Sequence, residues 1–178
     1  MANEESLLRQ LQAILGPGLL RSSSLADPPW SDDVAILNGA GLADDTEWAI
    51  TQDMLVEDVD FRRPAFGPKD IGYKALQVNL SDLAAKITIT PRFAFVAVAV
   101  KPDEADTVLP LLYEGIAQAA FSAPGLVIAG GDLSSTDGPL TISITLLGNG
   151  PRGKSWRRST AQPGDVLWIS RPVGWARL

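Results

Sequence analysis

The sequence predicts one domain of mixed α and β structure, with at least five strands and two long helices. Two patterns indicate this: apolar residues recur at helical spacing in some segments, and short apolar runs typical of strands lie between them. The chain has 178 residues, 46% of them apolar and 20% charged, which is enough apolar chain for one substantial core. We therefore do not expect a disordered protein.

The first half of the chain predicts two helices and two strands. Leu7, Leu11 and Leu15 follow a helical spacing that ends at Gly16. A stretch rich in Ser and Pro then predicts a loop before the first strand. The predicted elements are a helix over 4–15, a loop over 21–31, strands over 34–37 and 47–56, and a helix over 69–85.

The second half predicts four strands and one helix. Residues 92–100 are almost wholly apolar, which predicts a strand near the centre of the sheet, buried on both faces or in a barrel wall. The residues expected to pack in the core or at an interface are Trp156, Trp168 and Trp175. The remaining predicted elements are a helix from Pro102 to Ala120, a strand over 126–129 that ends at a Gly-Gly-Asp turn, a strand over 141–147, a turn over 161–165 and a strand over 166–170.

The composition excludes several kinds of chemistry. The chain has no Cys and no His, so disulfides, thiolate metal sites and imidazole catalysis are excluded, and any metal must be bound by oxygen. The net charge of −6 argues against non-specific binding to nucleic acid. We expect a cytoplasmic protein with no membrane span. The basic segment from Arg152 to Arg158 is either a solvated loop or a binding site for a polyphosphate.

Four acidic motifs are the main functional signal. An isolated Asp at a turn or helix end usually only forms hydrogen bonds. Four carboxylates brought together would repel one another unless a cation such as Mg²⁺ lay between them, which points to phosphate chemistry. The motifs are Ser31-Asp32-Asp33, Thr51-Gln52-Asp53, Asn79-Leu80-Ser81-Asp82 and Gly130-Gly131-Asp132.

Three segments carry a more specific signal: YKALQVNLSDLAA at 73–85, IAGGD at 128–132 and RSTAQPGD at 158–165. Together they resemble the thiamine-monophosphate kinase family, within the superfamily of aminoimidazole ribonucleotide synthetase and selenophosphate synthetase. The resemblance implies an α+β fold with a mixed sheet flanked by helices, pairing into a barrel across a homodimer. It also implies transfer of the γ-phosphoryl group of ATP to thiamine monophosphate with Mg²⁺, which is chemistry of positioning and charge neutralisation without a catalytic side chain.

The same resemblance implies site residues. The implied metal ligands are Asp33, Thr51, Gln52, Asp53, Asp82 and Asp132. The implied nucleotide-binding residues are Tyr113, Gly131, Asp132 and Arg158. Asp60 occupies the position of a substrate-contacting His in the family, where a carboxylate would repel a phosphorylated substrate.

The departures from the family pattern leave alternatives open. The resemblance implies a single N-terminal ATP- and Mg²⁺-binding domain over 1–178, with the family's second α/β domain absent and the isolated chain inactive. A non-catalytic dimerisation or nucleotide-binding domain is one alternative. A related enzyme acting on another phosphorylated substrate is the other.

Overall fold

The computed structural model describes residues 4–15, 25–29, 31–38 and 45–169. These residues form three helices and five strands, a mixed α+β fold, with a short 3-10 turn at Arg158–Thr160. The predicted helix over residues 4–15 is confirmed to the residue. The elements are α1 (Glu4–Leu15), β1 (Ala35–Asn38), β2 (Thr46–Val56), α2 (Pro68–Ala84), β3 (Thr90–Val100), α3 (Ala105–Ala120), β4 (Val127–Ser135) and β5 (Thr141–Pro151).

The five strands form one mixed sheet in the order β1-β2-β5-β3-β4. All neighbours are antiparallel except β3 and β4, which are parallel because the chain crosses over between them through α3. β5 is therefore the central strand. β1 pairs only with residues 47–50 of β2, so the rest of that edge of β2 has no strand partner among the described residues.

The helices α2 and α3 cover one face of the sheet. α2 lies on the sheet and α3 packs on α2, where two glycines allow a close crossing. A Cβ atom at Gly72 would lie 1.9 Å from the carbonyl oxygen of Leu112, and one at Gly115 would lie 1.9 Å from that of Lys69. The two helices could not approach this closely with any side chain at either position.

None of the described elements covers the opposite face of the sheet, here called the open face, so within this chain β3 is buried on one face only. Its place in a barrel wall stays a prediction. Val96 and Val98 point into the core beneath α2, whereas Phe93 and Phe95 are 40% and 43% exposed on the open face. The ring of Trp48 stacks on that of Phe93 at a centroid distance of 6.3 Å. An apolar run thus identified the strand but not the number of layers that cover it.

Three other predictions are corrected by the fold. Gly130, Gly131 and Asp132 do not form a turn after a strand but lie within β4, next to a register shift opposite Ala94 and Phe95. The expected last strand is not formed by its described part, 166–169, whose side chains are exposed. Trp156 and Trp168 are largely exposed and do not pack in the core, so their packing at an interface stays a prediction. Trp175 lies outside the described residues. None of the helices in the described part of the chain is long and apolar enough to cross a membrane.

Candidate metal and nucleotide site

The central feature of the site is a set of polar residues where β2 faces α2. Thr51 and Asp53 alternate with exposed residues of β2 and so point towards α2. The Thr51 hydroxyl lies 2.9 Å from Oδ2 of Asp82 and 3.2 Å from the carbonyl oxygen of Asp33. This one hydroxyl therefore links three separate motifs of the sequence.

Asn79 holds the two elements together at this point. It is fully buried, its side-chain amide donates to the carbonyl of Ala75 at 3.1 Å, and its Oδ1 accepts the backbone N–H of Asp53 at 3.2 Å. Asn79 thus bonds β2 beyond the part of its edge that β1 covers. Because Asp82 lies three residues later on the same helix, it projects next to Asn79, towards Thr51.

The acids at this site repel one another. Burial, followed by the negative charges of Asp82, Asp33 and Asp60, raises the pKa of Asp53 above its ordinary value. Among the described residues, no Lys or Arg forms an ion pair with Asp53 or Asp82. Asp33 is paired with Arg158, whereas Asp53 and Asp82 hold negative charge that no described Lys or Arg neutralises. These three acids are here called the acidic cluster.

The carboxylate oxygens of the acidic cluster are ligands of the kind that a hard cation prefers, but they are too few to complete its coordination. No group of three or more carboxylates within the described ranges is close enough to hold a metal ion alone. Mg²⁺ is usually bound by one or two carboxylates, with water and substrate phosphate oxygens as the remaining ligands. The acidic cluster fits Mg²⁺ that arrives with a phosphorylated ligand.

Asp32 differs from Asp33 although the two are adjacent. Its Oδ2 lies 2.7 Å from Nζ of Lys86, and these two side chains are only 7% and 5% exposed. Burial alone would raise the pKa of Asp32, but the backbone N–H of Arg158 at 3.0 Å and the Lys86 ammonium outweigh it and lower the pKa. Asp32 is thus a neutralised, structural acid.

Arg158 connects the basic segment to the acidic cluster. Its guanidinium lies 2.5 Å from Oδ2 of Asp33, and both side chains are 64% exposed. Its backbone N–H is bonded to Asp32. A guanidinium held at the open rim of an acidic site can contact phosphate oxygens directly.

Gln52 and Asp132 are not brought to the acidic cluster in a single chain. Gln52 points to the open face of the sheet, where its amide donates to the hydroxyl of Ser143 at 3.2 Å. Asp132 is paired with Ala97, which lies on the same open face because its neighbours Val96 and Val98 point into the core. Its carboxylate accepts a hydrogen bond from Ser134 at 2.9 Å.

The other predicted residues have local structural roles. Gly131 is required by the sheet, since a Cβ there would lie 1.8 Å from the carbonyl oxygen of Val96. Tyr113 is half-buried on α3 against the core, and burial raises the pKa of its phenol. The Asp60 carboxylate accepts the backbone N–H of Val56 at 2.8 Å, and its carbonyl lies 2.5 Å from Nζ of Lys74.

Sequence reasoning missed three residues that organise the site: Asn79, Lys86 and Glu47. Asn79 belongs to one of the four acidic motifs, but the motif does not indicate its contact with β2. The residues around Lys86 do not predict that its side chain is buried. Glu47 carried a usable signal, because it shares the strand parity of Ala49 and Thr51 and so had to point inwards with them. It is 1% exposed.

Residues 31–149 match the family model described as AIR synthase related protein, N-terminal domain. The matched range contains the acidic cluster, all five strands up to Asn149, and both packed helices. Arg158 lies beyond it.

Individual relatives are thiamine-monophosphate kinases. That of Rhodopirellula baltica is 39% identical over 147 residues, which are 80% of this chain and 45% of the relative. That of Bacillus subtilis is 37% identical over 122 residues, 68% of this chain and 37% of the relative. A structure of AaThiL complexed with AMPPCP and TMP aligns with a TM-score of 0.66 and 25% identity, over 82% of this chain and 41% of that chain. The chain thus spans less than half the length of each.

Proposed function

Because the chain belongs to the AIR synthase related family through its N-terminal domain, we propose that it supplies the ATP- and Mg²⁺-binding half of a thiamine-monophosphate kinase. The observation that carries this proposal is the acidic cluster: no described Lys or Arg pairs with Asp53 or Asp82, and burial together with the charges of Asp82 and Asp33 raises the pKa of Asp53. The names of the relatives and the AMPPCP and TMP in the AaThiL structure support the choice of substrates.

In this proposal Asp33, Asp53 and Asp82 bind Mg²⁺ together with the phosphates of ATP. The metal, when bound, neutralises charge on the reacting phosphates. The Thr51 hydroxyl orients the Asp82 carboxylate, Asn79 holds the backbone of Asp53, and Arg158 contacts the nucleotide. We leave Gln52 and Asp132 out of the metal set of a single chain because they lie on the other face of the sheet.

Calorimetry with a non-hydrolysable ATP analogue tests the proposal. The affinity should be at least tenfold higher with Mg²⁺ than with a chelator, because the carboxylates and the triphosphate repel each other without a cation. Equal affinity in the two conditions would remove the metal site and with it the proposed function.

We further propose that the open face of the sheet pairs with a second copy. Trp48, Phe93 and Phe95 form an aromatic surface there, and burying one such side chain contributes on the order of 1.5–3 kcal/mol. Pairing of two such sheets would make the barrel that the family resemblance implies. Sedimentation should give a dimer, and a monomer at micromolar concentration would contradict the pairing.

A non-catalytic nucleotide-binding domain is the second candidate, favoured by Asp60. Its carboxylate caps the backbone of Val56 and adds negative charge near the cluster, where a substrate phosphate would be repelled. A phosphoryl-transfer assay with thiamine monophosphate distinguishes the two candidates. It is run on the 178-residue chain and on a fusion of this chain with the C-terminal part of one of the relatives. We expect turnover only in the longer chain, and none in either chain would favour the second candidate.

A further inference from the structure

Glu47 is a buried acid that no Lys or Arg neutralises among the described residues. It lies on the core side of β2 and is 1% exposed. A buried carboxylate is strongly unfavourable unless its oxygens accept hydrogen bonds. Both of its oxygens do, and both donors are backbone N–H groups of the basic segment, Gly153 at 2.7 Å and Ser155 at 2.9 Å.

These two bonds belong to a regular series that fastens residues 152–158, here called the anchored segment, to the rest of the domain. The Arg152 N–H donates to the carbonyl of Asp45 at 2.9 Å, and the Trp156 N–H donates to the carbonyl of Lys86 at 3.2 Å. The Arg158 N–H ends the series at Asp32. The backbone of the segment is therefore anchored, although most of its side chains are exposed to solvent.

Among the described residues, Glu47 is the one side chain that accepts backbone N–H groups in the middle of this series. Without it, residues 153–155 would lose both bonds, and the anchored segment would be held only near its ends, by the bonds of Arg152, Trp156 and Arg158. An exposed Arg that is already held near its contact loses less conformational freedom on binding than one on a mobile loop. Glu47 can thus influence a ligand at Arg158 without touching it.

We propose that Glu47 is a positioning residue for Arg158: by holding the anchored segment, it places the guanidinium beside Asp33, where it can meet the nucleotide phosphates. The inference rests on the proposed function, because it takes Arg158 as a nucleotide contact. It assigns Glu47 no contact with substrate or metal.

A double-mutant cycle on the 178-residue chain tests this, with Mg²⁺ and a non-hydrolysable ATP analogue in calorimetry. Glu47→Gln keeps the size of the side chain, but its NH2 group replaces one of the two acceptor oxygens. That group cannot accept a backbone N–H, so one of the two hydrogen bonds is lost. We expect a five- to tenfold loss of affinity in the wild-type background and less than a twofold change in the Arg158→Ala background. Glu114→Gln, a surface acid on α3, is the matched control and should have no effect in either background.

Glu47→Asp is the second variant if Glu47→Gln does not fold, since it keeps the charge but is too short to reach both N–H groups. Amide exchange at Gly153 and Ser155 should accelerate in either variant. Equal losses of affinity in both backgrounds would overturn the inference, because Glu47 would then act through the fold in general. Absence of Mg²⁺-dependent binding by the wild-type chain would instead defeat the proposed function itself.

Discussion

Asp32 and Asp53 are both acids of the same site, yet the fold changes their pKa values in opposite directions. Asp32 is paired with Lys86 and with a backbone N–H, which lower its pKa. Asp53 is partly buried and lies near other carboxylates, and both effects raise its pKa. Asp32 therefore stabilises the fold, whereas the charge of Asp53 is unfavourable in it. An acid of the second kind indicates a ligand site.

The largest expected effect is the loss of stability on removing the charge of Asp32. Asp32→Asn leaves the Lys86 ammonium buried without a counter-charge, so the free energy of unfolding should fall by about 3 kcal/mol, the low end for a broken buried pair because the amide oxygen can still accept. Urea denaturation measures this. Asp103→Asn, an exposed control, should stay within about 0.5 kcal/mol of the wild type, and an equally small change for Asp32→Asn would show that the pair is not structural.

Asp82→Asn should have the converse effect, on ligand binding. The change is nearly isosteric and the Thr51 hydroxyl can still donate to the new amide oxygen, so stability should be retained. The Mg²⁺-dependent affinity for an ATP analogue should fall at least tenfold, since the proposed metal loses a charged ligand. Calorimetry on Asp82→Asn and Asp32→Asn, at equal folded fraction, compares the affinity of the two variants. A greater loss of affinity for Asp32→Asn would show that Asp32, and not Asp82, is the metal ligand.

Asp53→Asn should raise stability in the absence of metal. The neutral side chain removes repulsion by Asp82 and Asp33, so the free energy of unfolding should increase by up to about 1 kcal/mol, the scale of interactions among partly exposed charges. Thermal unfolding with a chelator present measures this gain. Adding Mg²⁺ and nucleotide should stabilise the wild type and not the variant, and a variant that is less stable without metal would contradict the reading of Asp53.

The pH dependence should distinguish the two acids by a smaller effect. The folded pKa of Asp53 is raised, so its ionised form destabilises the fold at neutral pH and this cost disappears as pH falls through that pKa. The folded pKa of Asp32 is lowered, so its contribution persists until pH falls through that lower value. In denaturation series, the advantage of Asp53→Asn should therefore vanish at a higher pH than the penalty of Asp32→Asn. The reverse order would refute both assignments.

Local patterns predicted the helices and most strand positions, because alternation and helical spacing reflect which side chains face the core. They could not predict that β4 continues through Gly130 and Gly131, since that depends on a close approach to β3. The strand expected at 166–170 has high strand propensity, but its described part, 166–169, lacks a neighbour to pair with among the described residues. Pairing is a tertiary property that propensity does not contain.

The site was predictable where motifs are specific and unpredictable where contacts are distant. The resemblance placed Asp33, Asp53 and Asp82 among the metal ligands, and the structure brings these three near one another. It also gave Gln52 and Asp132 the same role, although strand parity and register put them on the other face. Nothing in the residues around Asp32 indicates that Lys86 reaches it.

The most direct test of the central claim is a carbon-detected NMR titration of the Asp53 carboxyl with and without Mg²⁺ and an ATP analogue. We expect its pKa to lie above the ordinary value for Asp in the free protein and to fall when Mg²⁺ and the analogue are added, because a cation then neutralises the acidic cluster. Asp32 serves as the internal control and should keep its lowered pKa in both conditions. An Asp53 pKa that is ordinary in the free protein, or unchanged by Mg²⁺ and the analogue, would contradict the account.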